Sequence, residues 1–581
     1  MRKIFVVMIL IILIAPAFSA TSIETFLIKD ITKENEIRNI KNENIRTNCF
    51  GRTYMVEMRD GIKLATDVYR PILRFFPHGT ILLRTPYDKN QLKIIGIICS
   101  LLGWPTVIQD MRGRYASGGN DTVYQNSHTD GPDTLSWIAN QTWCNGKIAT
   151  VGPSALGINQ YFMAGANPQN LEAQFIMVAT PNLHKHAIFQ GGQFRKALVE
   201  GWLEGQGSTY ILEEIFENEN YSLEFWTNVS LDDNWQDINV PAMHLGGWYD
   251  IFLQGIIDGF LGYQHFGGPG AQGKSKLIMG PWTHDGYIER NQGDLIYPKN
   301  SLGWWSLKVF RYMILQYTMD KSFSFDCWPN VTYYVMGDVD NENAPGNEWR
   351  SADDWPIPST ERKWYFHKGG MLSTMLPENY DPITYLFDPT NPVLTIGGQN
   401  LNIKRGPFDQ REVENRDDVL VFTSEVLDNP YEATGPIKAR LYVSSDCPDT
   451  DFTAKLTDVY PDGRSMLITD GILRMRNRNG TDHWEFMEPG EIYEIEVDMW
   501  STSYVWNVGH KIRVAISSSN HPRFLNNPNT ANGIYSNNTY NIAHNTVYLD
   551  STYPSCIVLP EISLSTVVFN TPKPSFLPFF S

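Results

Sequence analysis

Between residues 50 and about 310, short apolar runs alternate with helical stretches, and this rhythm restricts the chain more than any other feature. Ile81 to Leu83, Pro105 to Gln109, Ile148 to Val151, Phe175 to Val178, Ala242 to Leu245 and Lys276 to Met279 read as buried strands. Thr134 to Asn140 and Ala155 to Ala166 read as helices between them, the second stopping before Asn167-Pro168. Strand–helix alternation of this kind implies a parallel sheet covered on both faces. Residues 187–238 break the rhythm with Phe, Trp, Leu and Glu, and Tyr210 to Phe216 has helical periodicity. They read as a helical insertion between two strands, expected to cover the sheet edge. From about residue 330, strands such as Val331 to Val335, Val419 to Thr423, Ala439 to Ser444 and Lys511 to Ser517 alternate with Gly, Pro and Asn turns. That pattern predicts an all-β domain, a jelly roll or sandwich. The expected layout is an α/β domain over 49–325 with its cap at 187–238, then a β domain over 326–575.

The N-terminus is expected to lie outside this layout. Arg2 and Lys3 precede an unbroken apolar run from Ile4 to Ile14, eleven residues long. Ala17-Phe18-Ser19 then supplies small residues for cleavage, so residues 1–19 read as a secretory signal and 20–48 as a polar leader. No later run reaches the ~18 apolar residues of a membrane span. An exported protein is therefore expected, in an extracellular, periplasmic or secretory-lumen compartment. Its six cysteines, Cys49, Cys99, Cys144, Cys327, Cys447 and Cys556, contain no Cys-x-x-Cys, which argues against zinc. Their pairing stays open, with free buried thiols the alternative. Sequons at Asn120, Asn140, Asn220, Asn228, Asn330, Asn479 and Asn537 permit glycosylation in a eukaryotic route. With 47 basic against 64 acidic residues and a net charge of −17, nucleic acid is excluded as the main partner.

Chemistry concentrates where predicted strands end. Ser154 sits in Gly152-Pro153-Ser154-Ala155-Leu156-Gly157, with a strand entering and a helix leaving, the context of a nucleophile elbow. The usual second glycine falls one position late, at 157. A serine nucleophile needs a base, and the base needs a carboxylate to fix its tautomer. Asp250 follows the Ala242 strand and His284 follows the Lys276 strand, both at carboxyl ends where open α/β sheets place ligands. The order Ser154, Asp250, His284 is the α/β-hydrolase order. Tyr87, in Leu83-Arg84-Thr85-Pro86-Tyr87-Asp88-Lys89, follows another strand. It is either an oxyanion donor, with the Ala155 N–H as the second, or a packing residue.

Taken with these segments, the chain resembles the cocaine esterase/X-Pro dipeptidyl-peptidase family of serine hydrolases from about residue 50 to 570. The matching stretches include Asp60 to Pro71, Arg84 to Lys89, Asp110-Met111-Arg112-Gly113-Arg114 with Ser117-Gly118-Gly119, and Trp143 to Lys147 leading to Ser154. Gly247 to Asp250, Gly280 to His284, Pro448 to Phe452, Asp458 to Gly463 and Ser517 to Asn520 complete them. The resemblance implies an α/β-hydrolase domain, an inserted helical cap and a C-terminal jelly roll. It also implies Ser154 as nucleophile, Asp250 as acid, His284 as base, and Tyr87 and Ala155 as oxyanion donors, with no metal or organic cofactor. One departure is Ala155, where the family commonly has tyrosine: the backbone donor survives, a side-chain contact does not.

The expected activity is hydrolysis of small-molecule ester, amide or peptide substrates through an acyl-enzyme. An X-Pro dipeptidyl-peptidase is the alternative within the fold; it needs carboxylates near the nucleophile to hold an α-ammonium. The resemblance implies that amino-acid ester hydrolases of the family carry acids shortly after the triad aspartate. Ile251-Phe252-Leu253-Gln254 after Asp250 contains none, which disfavours that subgroup, although Glu204 or Glu213 of the cap stand as candidates for holding an ammonium. A catalytically silent carbohydrate-binding relative is the alternative outside enzymology. Oligomeric state stays open.

Overall fold

The structure, a computed structural model, describes residues 51–71, 78–222, 224–321, 325–532 and 539–563. The signal and leader readings, Cys49 and Asn537 lie outside these residues. Ten strands form the first sheet: β1 (Arg52–Glu57), β2 (Lys63–Tyr69), β3 (His78–Thr85), β4 (Thr106–Asp110), β5 (Cys144–Pro153), β6 (Leu171–Met177), β7 (Ala242–Tyr249), β8 (Lys276–Thr283), β9 (Val331–Val335) and β10 (Glu348–Ala352). Their order is β1-β2-β4-β3-β5-β6-β7-β8-β9-β10. Pairing is parallel from β4 through β9 and antiparallel at both ends. β7 and β8 are buried at every position, as expected of strands covered on both faces. Each strand predicted in the α/β half appears, and the helix after Ser154, α3 below, ends at Gly165.

Seven helices matter for the site: α1 (Lys93–Leu101), α2 (Ser127–Ala139), α3 (Ala155–Gly165), α4 (Lys196–Gln206), α5 (Ile211–Glu217), α6 (Leu253–Leu261) and α7 (Ser306–Met319). The helix predicted over Thr134 to Asn140 is the second half of α2, which starts seven residues earlier despite Pro132; a polar first turn of Ser, His, Thr and Asp hid that start.

Two expectations need correction. Val331 to Val335 was expected in the β domain but pairs with β8 in parallel, so the first sheet runs on to Ala352. Composition marks a strand without saying which sheet receives it. The cap lies between β6 and β7 as expected, yet α4 does not cover a sheet edge. Its Trp202 and Leu203 stand with Ser154 around one cleft, above the carboxyl ends of the strands.

The C-terminal half is all-β. Tyr431–Ser445 pairs along its length with Tyr493–Trp506 and, on its other edge, with Ala543–Val547 and Cys556–Glu561. Asp451–Val459 pairs with Ser465–Arg474 and with Lys511–Ser517. The two halves are fastened by hydrogen bonds, Met336 N–H to the Ser503 carbonyl and Val505 N–H back to Met336, and by a buried Arg350–Glu432 ion pair at 2.7 Å. The five described cysteines are free thiols.

Candidate active site

Ser154 stands on a strained bend between β5 and α3, with φ 55° and ψ −125°. Such a backbone costs about 1–3 kcal/mol and survives only where its surroundings over-determine it. They do so here. Ser154 N–H donates to the Met177 carbonyl at 2.9 Å, and the Ser154 carbonyl accepts from Gly157 and Ile158 at 2.8 Å each. A Cβ on Gly152 would stand 2.3 Å from Leu156 Cβ, and one on Gly157 would stand 2.6 Å from Ala179 Cβ. The late second glycine thus performs the close approach that the turn requires. Ala155 opens α3, where the first amides have no intrahelical acceptor.

Asp250 and His284 follow directly on β7 and β8, which are neighbours in the sheet. A Cβ on Gly247 would come within 2.1 Å of the Trp282 carbonyl oxygen, so only glycine lets the two strands converge there. His284 Nδ1 lies 2.7 Å from Asp250 Oδ2, and Asp250 Oδ1 accepts the Phe252 N–H at 2.6 Å. Asp250 is fully buried and His284 nearly so. A proton on Nδ1 held by the carboxylate leaves Nε2 of the neutral ring as the basic atom. Burial, the largest single influence, pushes the His284 pKa down; the Asp250 charge and hydrogen bond and the Asp285 charge outweigh it, so the net shift is upward.

Tyr87 follows β3. Its phenol oxygen accepts the Trp202 Nε1–H at 2.9 Å, and it also interacts with the Ser154 hydroxyl. Burial raises its pKa, which keeps the phenol protonated and able to donate. The loop is braced from behind: Asp110 Oδ1 accepts the Lys89 N–H at 2.7 Å, and Arg114 Nε donates to the Pro86 carbonyl at 3.2 Å. Asp250 and His284 are thus paired, Tyr87 and Ser154 interact, and all four follow carboxyl ends of strands in one sheet, with Ala155 opening α3.

Three contributors went unnominated. Trp202 comes from the cap. Arg114 lies in the Asp110-Met111-Arg112-Gly113-Arg114 stretch, which by itself gives it no role. Arg195, fully buried, donates to the Ile251 carbonyl at 2.8 Å beside Asp250. No local pattern marks them; their partners are far away in sequence.

The cleft over Ser154 has a volume of about 560 Å³ including its open mouth. Ile158 and Phe252 from the α/β domain, Leu198 and Trp202 from the cap, and Leu401 from the chain beyond β10 give it apolar walls. No Asp or Glu is among its lining residues, and Glu204 and Glu213 of the cap are exposed elsewhere. Among the described residues no His, Cys, Asp or Glu cluster has metal-binding geometry.

Comparison with known proteins agrees with this architecture. The model of the X-Pro dipeptidyl-peptidase (S15 family) matches residues 60–210 and 202–286. The model of the X-Pro dipeptidyl-peptidase C-terminal non-catalytic domain matches 324–558. An α-amino acid ester hydrolase structure aligns with TM-score 0.76 at 23% identity, covering 90% of this chain and 100% of that one. An aminopeptidase from a Thaumarchaeota archaeon aligns with TM-score 0.75 at 23% identity, covering 88% and 96%. The cocaine esterase of Rhodococcus sp. (strain MB1 Bresler) is 32% identical over 585 residues, covering 87% of this chain and 98% of that protein. The chain belongs to the cocaine esterase/X-Pro dipeptidyl-peptidase family and is a serine hydrolase acting on ester or amide bonds.

Proposed function

We propose that the protein is an exported carboxylic-ester hydrolase that works through an acyl-enzyme on Ser154. His284 takes the Ser154 proton on Nε2 while Asp250 holds Nδ1–H, and the serine oxygen attacks the ester carbonyl. Tyr87 and the Ala155 N–H stabilise the oxyanion, His284 returns the proton to the leaving alcohol, and water repeats the sequence to free the acid. Export rests on the charged and apolar pattern of residues 1–19.

The observation that carries the choice of ester over X-Pro peptide is the cleft lining. A dipeptide with a free α-ammonium needs a carboxylate within hydrogen-bond reach, and burying that cation against Leu198, Phe252 and Leu401 without one costs several kcal/mol. An apolar acyl group loses no hydrogen bonds there. The test compares kcat/KM for a p-nitrophenyl ester of an apolar acid with that for an X-Pro anilide. The ester is expected to win by more than 10²-fold. A faster anilide would reverse the assignment. Labelling by a fluorophosphonate, present in the native chain and lost in Ser154→Ala, checks the nucleophile.

A further inference from the structure

The cap reaches the proposed oxyanion donor by two separate ties. Trp202, on α4, donates its indole N–H to the Tyr87 phenol oxygen at 2.9 Å. At the end of the same helix, Gln206 accepts from Arg114 twice: Nη1 to its carbonyl at 3.0 Å and Nη2 to its Oε1 at 2.9 Å. Arg114 Nε holds the Pro86 carbonyl at 3.2 Å, one residue before Tyr87. The indole ring is itself fixed, stacked on Tyr124 with centroids 6.1 Å apart and planes 21° from parallel. One cap helix therefore holds both the hydroxyl and the backbone of the Tyr87 segment.

The chemistry of the two groups gives this arrangement a direction. An indole nitrogen only donates, so the phenol oxygen must accept from it. The single phenol hydrogen is then not used by that bond and remains to be given, and the Ser154 hydroxyl is among the groups that act on the phenol. Accepting one hydrogen bond also polarises the phenol and strengthens the bond it gives. We infer that Trp202 is a positioning residue of the reaction: its N–H aims and polarises the Tyr87 hydroxyl, so the cap helps to build the oxyanion hole as well as to wall the cleft. This rests on the proposed role of Tyr87.

A double-mutant cycle on the full chain tests it, with p-nitrophenyl butanoate and acylation measured in single turnovers. Trp202→Phe keeps an aromatic ring against Tyr124 and removes the N–H. In the native background it is expected to slow acylation 5–20-fold with KM changed less than threefold. In the Tyr87→Phe background it is expected to cost less than twofold. An equal loss in both backgrounds, or a loss confined to KM, overturns the inference and leaves the oxyanion role standing. Native-like acylation by Tyr87→Phe alone overturns the oxyanion role, a distinct result that removes the inference with it. Should Trp202→Phe fail to fold by circular dichroism, Arg114→Gln cuts the second tie and is read in the same cycle against the same two outcomes.

Discussion

Among the described residues two buried histidines sit on fully buried aspartates, and one of the two lies beside the cleft. His284 Nδ1 meets Asp250 at 2.7 Å in the α/β half. His510 Nδ1 meets Asp458 at 2.9 Å in the β half. Both rings are buried, and both carboxylates are fully so. The difference lies at the second nitrogen. His510 Nε2 faces another carboxylate, Asp338, at 3.4 Å, and Asp338 follows β9 of the opposite half. His284 is edged by the Phe252 ring, 5.7 Å between centroids, in the wall of the Ser154 cleft. A His–Asp pair is thus common material. What makes one a candidate base is its place at a strand end beside the cleft of a strained serine, with its carboxylate on Nδ1; what makes the other an interdomain clamp is an anion at each nitrogen.

The largest effect separates the two by activity. If Ser154, Asp250 and His284 form the proposed triad, His284→Ala and Ser154→Ala are each expected to lower kcat by ~10⁴ or more, with no further loss on combination, because triad members act as a unit. His510→Gln is expected to stay within about twofold of the native kcat. Initial rates at equal folded protein check both. A His510→Gln enzyme as dead as His284→Ala would erase the distinction.

Stability is expected to rank them the other way. His510→Gln leaves Asp458 and Asp338 buried with one cation missing, and breaking such a pair costs about 3–5 kcal/mol. Tyr504 and Asn507 still donate to the two carboxylates, at 2.7 and 3.0 Å, but neither is charged. His284→Gln leaves Asp250 with the Phe252 N–H and the charge of buried Arg195 nearby, so its loss is smaller. Denaturant unfolding monitored separately in the two halves ranks the variants. A larger loss for His284→Gln would contradict the clamp.

The two histidines also mark what the sequence could and could not disclose. The place of His284 at the end of β8 is legible because strand and turn chemistry act locally around it. Ser154 was legible for the same reason, even with its second glycine displaced to 157. His510 carried no signal: Asp458 is 52 residues away and Asp338 belongs to another sheet. Val331 to Val335 was misplaced for a related reason. A buried strand of Val, Thr and Tyr reads alike in either domain, and only its pairing with β8 assigns it. The cap's tie to Tyr87 spans 115 residues and was equally silent.

Alkaline pH provides the next contrast. The His510 pKa is raised to about 9; burial opposes this, and hydrogen bonds and charges of Asp338 and Asp458 overcome it. Its unfolded value is ~6.5. A group raised on folding stabilises fully below its unfolded pKa, and that contribution disappears as pH rises through the folded one. The clamp is therefore expected to weaken between pH ~6.5 and about 9, by roughly 3 kcal/mol in all. Unfolding free energies from pH 6 to 10 should fall in the native chain and be flatter in His510→Gln. Parallel curves would remove His510 as their source.

The smallest effect is on the pH dependence of the reaction. As the proposed base, His284 must be neutral to accept a proton, so activity is expected to fall on the acid side as the ring protonates. Its pKa is raised, which places that limb above the ordinary ~6.5. Beyond Asp250, two charges shift it in opposite directions: Asp285 raises it and Arg405 lowers it. The two form an ion pair with each other at 3.0 Å, about a third exposed to solvent. Asp285→Asn removes an anion that favours the imidazolium, so the limb should move to lower pH. Arg405→Gln removes a cation and releases Asp285, so the limb should move to higher pH. Partly exposed charges contribute about 0.2–1 kcal/mol, which at 1.36 kcal/mol per unit is a few tenths of a pH unit. Raising the salt concentration should shrink both shifts, since solvent-exposed charges are screened within a Debye length and the buried Asp250 is not. Profiles of kcat/KM for the ester read the free enzyme directly. If both variants move the limb in the same direction, the titrating group is not His284 facing this pair.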